Sequence, residues 1–133
     1  MSVESTRAVI KRYMDSKHTD MSVMADDVVF THMATGDESK GPDGVGGMLN
    51  YMYHVAFDAD AEFTNQVVAD GKAVLEGYFI GTHIGEFAGI PATGKSVRVP
   101  LCIVYDLEND RIRRGRVYME MPVMFAQLGE QPR

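Results

Sequence analysis

The sequence predicts an α+β domain in which helices are segregated from an antiparallel meander. Three observations carry that expectation. Apolar residues near the N-terminus fall at helical spacing, the chain past Phe57 turns to extended runs rich in Val and Ile, and Asp70-Gly71 sits between two such runs. Asp-Gly in that position is among the strongest short hairpin signals.

The elements follow in order. Between Glu4 and Lys17, the residues Ala8, Val9, Tyr13 and Met14, with Ile10 beside them, recur near the helical period and predict an amphipathic helix. A short second helix is expected over residues 22–25, and VVFTH at 28–32 reads as a strand. The polar, glycine-rich THMATGDESKGPDG reads as a loop. Pro42 opens a second long helix through Phe57, with Met48, Met52 and Val55 on one face and Tyr51 at its flank. Gly44, Gly46 and Gly47 weaken its start. Strands are expected over 62–69, 72–83, 96–107 and 112–120. Pro122 ends the last strand, and PVMFAQLG forms a turn or two of helix before Gly129. A curved antiparallel (mixed) sheet with helices across its concave side encloses a pocket suited to a small apolar ligand. Val97, Val99, Leu101 and Ile103 are expected on the outer sheet face, against a second copy of the chain.

Bulk properties narrow the function. A chain of 133 residues fits one domain, 1–133. The net charge of -6 repels a phosphate backbone, which argues against nucleic-acid binding. No apolar run reaches the roughly 18 residues of a membrane span, and MSVESTRAVIKRYMDSK lacks the apolar stretch of a secretion signal. The single Cys102 makes no intrachain disulfide. A soluble, cytoplasmic protein is expected. No HxH, HExxH or Cys/His cluster has metal-ligand spacing, so no metal is expected. GPDGVGG lacks the lysine of a phosphate-binding loop.

The candidates for chemistry are His32, Glu76, His83 and Glu120, with Arg98, Arg116 and tyrosines in support. Side chains alternate along a strand, so Arg116, Tyr118 and Glu120 share one face of the last strand and Val117, Met119 and Met121 the other. Burial of the Val and Met face leaves Glu120 in solvent. A sheet covered on both faces instead lets Tyr118 and Glu120 line a cavity. His32 follows Phe30 at period two and faces the same side. His83 reads either as a hydrogen-bonded structural residue or as a catalyst. Ten methionines are core filling or a pliable wall around a flat ligand.

One stretch exceeds what a surface loop needs. GTHIGEFAGIPATGK, Gly81 to Lys95, holds four glycines, a proline, a histidine and a glutamate. Extended to Val97, it resembles the signature of the SnoaL-like polyketide cyclase family. YMEMPVMFAQLG, with Gln127, Leu128 and Gly129, resembles that family's last strand and short helix, and DDVVFTHMATGDESKGPDGV matches its early strand and loop. The resemblance implies a cone-shaped α+β barrel of the nuclear-transport-factor-like superfamily, closed by N-terminal helices. It implies that Gly81–Lys95 forms a long connection at the rim of the cone, with Phe87 and Ile90 as apolar plugs, and that the chain forms a homodimer or higher assembly.

The family's cyclases use no cofactor and close a ring by intramolecular aldol condensation, with an aspartate of the last strand as acid and base. That position is Glu120 here, and a histidine frequent in the family five residues earlier is Gly115. The expected catalytic set is therefore Glu120, His83 and Tyr118. His32, Phe30, Tyr51, Phe79, Arg116 and Met52 are expected around a small apolar or aromatic carbonyl ligand. On this reading Glu120→Gln abolishes turnover. Epoxide hydrolysis or double-bond isomerisation on the same scaffold, and non-catalytic binding of an apolar metabolite, are the alternatives.

Overall fold

A computed structural model describes residues 1–133. The order is helix α1 (Val3–Asp15), a short 3-10 turn (Met21–Val23), strands β1 (Met24–His32) and β2 (Asp37–Lys40), helix α2 (Gly41–Asn50) continuing into a π-helical turn (Tyr51–Val55), strands β3 (Phe57–Ala69), β4 (Lys72–His83), β5 (Ser96–Glu108) and β6 (Arg111–Met119), and helix α3 (Met121–Leu128). Six strands form one mixed sheet in the order β2-β1-β6-β5-β4-β3. All neighbours are antiparallel except β1 and β6, which run parallel. The sheet curves without closing, so β2 and β3 remain its edges.

Local chemistry explains the elements. Ser2 caps α1 by accepting from the Ser5 amide, and the Ser5 hydroxyl accepts from the Ser2 amide in return. Asp70-Gly71 turns β3 into β4, with Gly71 at φ +73°. The curvature has a visible cause in Gly77. A Cβ there would lie 1.9 Å from the Glu62 carbonyl oxygen and 2.7 Å from Phe63 Cα. The missing side chain lets β3 fold over the concave face of β4, beside the register shift between Phe63 and Asn65.

The core lies on the concave face. Tyr13, Tyr105, Phe57 and Phe79 are its largest fully enclosed side chains. Val97, Val99, Leu101 and Ile103 belong to it, each no more than 6% exposed. This corrects the expectation that they face outward. α1, α2 and α3 cover the concave side, so the apolar row of β5 turns inward and Arg98, Pro100, Cys102 and Val104 face out. Two other differences are local. β2 forms within the segment read as loop, because DESK is a polar edge strand with no apolar alternation. β3 begins at Phe57 rather than at 62, because alanines and aspartates, weak strand formers, fill the sites between Phe57 and Phe63.

The glycine-rich signature and the one that ends in Gln127, Leu128 and Gly129 meet in space. Gln127 Oε1 accepts from the Arg98 amide at 2.7 Å, and its Nε2 donates to the Arg98 carbonyl at 2.9 Å. Lys95 Nζ donates to the Leu128 carbonyl at 2.9 Å, at the end of α3. Gly129 follows at φ +70°. Gln127 and Lys95 therefore fasten α3 to β5. Gln127→Ala is expected to lower stability by about 1–2 kcal/mol. Hydrogen exchange at the Arg98 amide should then speed up, and an unchanged rate would contradict the clamp.

Candidate functional site

One largely apolar cavity of about 550 Å³ opens between the concave face and the helices. Phe30 and His32 of β1, Val117 of β6, Met48 of α2 and Tyr51 and Met52 of the π-helical turn form much of its wall. Phe87, Met121 and Phe125 extend it. Phe87 and Phe125 stack with centroids 6.3 Å apart, which joins the glycine-rich segment to α3. The Tyr51 hydroxyl donates to the Glu86 carbonyl and ties that segment to the π-helical turn. Gly85 makes the close approach possible, since a Cβ there would lie 2.3 Å from the Val55 carbonyl oxygen.

Gly115 shapes the floor. A Cβ at this position would lie 2.8 Å from the Phe30 ring. Phe30 thus fills the space left by a residue without a side chain. Its ring in turn lies 6.1 Å from that of Tyr105.

The polar groups collect at one end. His32 and Asp37 face each other across the β1–β2 pair, and both line the cavity. They are its only imidazole and carboxylate. Burial lowers the His32 pKa below its usual 6.5, and the Asp37 charge opposes that shift. His32 Nδ1 is enclosed without a hydrogen-bond partner. Ser39 adds a hydroxyl to the same wall.

The structure thus brings His32, Phe30, Tyr51 and Met52 together and separates the other expected site residues from them. Glu120 is exposed at the junction of β6 and α3, where its carbonyl accepts from the Val123 and Met124 amides. Its side chain lines a shallow depression on the outer face, with Glu76, Tyr78, Cys102 and Tyr118. Tyr118 is 45% exposed. The physical reason is strand alternation: Val117 and Met119 take the inward positions, so Tyr118 and Glu120 point away. Arg116 also faces out and binds Asp106 through two hydrogen bonds of 2.7 and 3.2 Å. With Lys72 it holds the Asp106 carboxyl down at about 2.

His83 is fully enclosed. Its Nδ1 accepts from the Thr93 amide at 3.2 Å and lies 3.0 Å from the Thr93 hydroxyl. Because an amide only donates, the neutral ring carries its proton on Nε2. His83 pins the glycine-rich segment and does not reach the cavity. Phe79 is fully enclosed too, packed edge-on against Phe57 and Tyr53.

Two polar residues escaped the sequence reading. Asp37 lay in a segment taken for loop, and only the pairing of β2 with β1 sets it beside His32. His18 follows α1, where the chain carries no glycine to mark a cap. Burial lowers the His18 pKa to about 4, with the Asp60 charge opposing. A histidine depressed in the folded state stays neutral there while the unfolded chain takes up a proton. Stability should therefore fall as pH drops from about 6.5 to about 4. Thermal melts across that window test this, and His18→Asn should flatten the slope; an unchanged slope would contradict it.

Helices over the concave face of a curved mixed sheet, with an apolar cavity of ligand size between them, define the class of α+β domain. The SnoaL-like polyketide cyclase family model matches residues 12–128. The chain belongs to that family. Solved structures agree in fold. A protein from Jannaschia sp. CCS1, described as a SnoaL-like polyketide cyclase, superposes with a TM-score of 0.84 at 16% identity, covering 97% of this chain and 94% of its own. TsrD from Streptomyces laurentii gives 0.78 at 21% identity, covering 94% and 98%. A protein from Catenulispora acidiphila with a ketosteroid isomerase-like fold, in complex with trimethylamine, gives 0.74 at 14% identity, covering 93% and 94%. No curated protein sequence matches. No helix is long and apolar enough to cross a membrane.

Proposed function

We propose that the chain binds a small, largely apolar carbonyl compound in the cavity beneath α2 and catalyses its cyclisation by intramolecular aldol condensation, with His32 as general base. The observation that carries this reading is a single unpartnered imidazole, held neutral by burial, in the wall of an otherwise apolar cavity. Membership of a cyclase family supports the reaction class.

The chemistry follows from the side chains. Neutral His32 takes a proton from the carbon next to a substrate carbonyl, and the electron pair delocalises into the carbonyl as an enolate. The enolate carbon attacks a second carbonyl of the same molecule, and the imidazolium returns its proton to the new alkoxide. No proton is gained or lost over the cycle. Asp37 stabilises the imidazolium while it exists, and the Ser39 hydroxyl of the same wall donates to the developing oxygen charge. The aromatic and methionine walls exclude water, which strengthens those interactions.

The base must be neutral, and its pKa lies below 6.5. The rate should therefore rise with pH along an acid limb shifted below the ordinary histidine range and then reach a plateau. Incubation with a panel of polyketide-like esters, epoxides and conjugated ketones, followed by liquid chromatography with mass spectrometry, tests the reading. A product of unchanged mass and new retention supports it. A gain of one water would replace cyclisation with hydrolysis, and silence across the panel would leave binding alone.

A further inference from the structure

A second cavity, of about 430 Å³, lies between α1, the π-helical turn and β3. It shares no lining residue with the first. Met14, Ala59, Ala61 and Phe63 supply apolar wall, and His18 and Tyr53 stand in it as a stacked pair with centroids 5.5 Å apart.

The way α1 ends explains why a histidine here is unexpected. The Lys17 amide donates to the Met14 carbonyl and the His18 amide to the Tyr13 carbonyl, at 2.9 and 3.1 Å. This is the pattern of a Schellman cap, in which the residue at the His18 position normally makes an apolar contact back to the residue at the Tyr13 position. That contact exists, with ring centroids 5.0 Å apart. Leucine or phenylalanine would make it without enclosing a polar ring nitrogen. The chain instead places an imidazole there and leaves its Nε2 enclosed with no partner. It also holds Lys17 and His18 at φ +53° and +64°, left-handed conformations costly for both. Behind His18, the hydroxyls of Tyr13 and Tyr105 are likewise enclosed and unpartnered. The His18 nitrogen thus lacks a partner in the wall of a cavity large enough to hold one.

We propose that this cavity is a second ligand site, for a small phenol, with the His18 imidazole as the hydrogen-bonding group in its wall. A phenol suits the lining on three counts. Its flat ring packs against Tyr53 and Phe63. Its hydroxyl both donates and accepts, so it satisfies the His18 nitrogen in either tautomer. It carries no charge, so it calls on neither Lys17 nor the carboxylates of Asp60 and Glu62 in the same wall.

The probe is 2-naphthol, titrated into isotope-labelled protein with the histidine ring nitrogens followed by magnetic resonance. Saturable shifts at the His18 ring are expected. Binding should weaken about tenfold in His18→Asn, chosen because asparagine tolerates the left-handed backbone. Ala61→Leu, which fills the cavity from β3 and leaves the imidazole in place, should weaken it at least as much and decides the matter if His18→Asn fails to fold. Absence of saturable binding, shifts confined to His32, or unchanged affinity in the folded variants would overturn the proposal.

Discussion

His32→Gln is expected to lower kcat/KM by a factor of about 10² to 10⁴, the range that removal of a general base usually produces. Glutamine keeps a polar, similarly sized side chain at a half-buried position and removes only the titratable nitrogen. The fold should survive, because no hydrogen bond of the His32 ring is lost. Two further readouts separate catalysis from packing. The acid limb of the pH–rate profile should vanish with the imidazole, and substrate binding should change little, since the apolar wall of Phe30, Met52, Phe87 and Phe125 is left intact. Loss of binding with the pH profile unchanged would make His32 a wall residue.

Gly77→Ala should produce the largest loss of stability in the sheet. The added Cβ would meet backbone, at 1.9 Å from Glu62 oxygen and 2.8 Å from Glu62 carbon. No rotation of a side chain relieves that contact, so β3 must lift from β4 along the bend. Overpacking of this kind costs about 3 kcal/mol, or roughly 10 °C in melting temperature for a domain of this size. Gly47→Ala is the control, because nothing lies within 4 Å of its Cβ and it sits in a helix. That change should be neutral or stabilising. Equal melting temperatures for the two variants would contradict the account of how the sheet curves.

The sequence and the structure agree where a pattern is periodic and long. The strands β4 and β5, the Asp70-Gly71 turn and the amphipathic α1 were all legible, though not which face of β5 turns inward. The short edge strand β2 was not, because its hairpin with β1 is built of polar residues and carries no apolar alternation. The glycine-rich segment was visible as a motif, and the structure supplies its purpose: Gly85 lets the chain touch the π-helical turn, His83 anchors it and Lys95 closes the end of α3.

The site was legible only in part, for a physical reason. Phe30 and His32 could be set on one face by alternation, and Met52 on an apolar helix face. Alternation also allowed Glu120 to point outward, and that is its direction here. The family's carboxylate position did not decide the matter, because the inward places on β6 belong to Val117 and Met119. Asp37 meets His32 across a short hairpin that carries no apolar alternation, and His18 faces β3 far along the chain; neither contact leaves a mark on its own stretch of sequence.

Proton abstraction is the step on which the account depends, and it can be observed without knowing the natural substrate. The measurement is deuterium uptake at the α-carbons of 2-tetralone in deuterated water, followed by magnetic resonance with wild type, His32→Gln and Glu120→Gln. The account predicts uptake accelerated by the wild type, reduced to the uncatalysed rate in His32→Gln, and retained in Glu120→Gln. Full acceleration by His32→Gln, or its loss only in Glu120→Gln, would contradict it and move the chemistry to the outer face of the sheet.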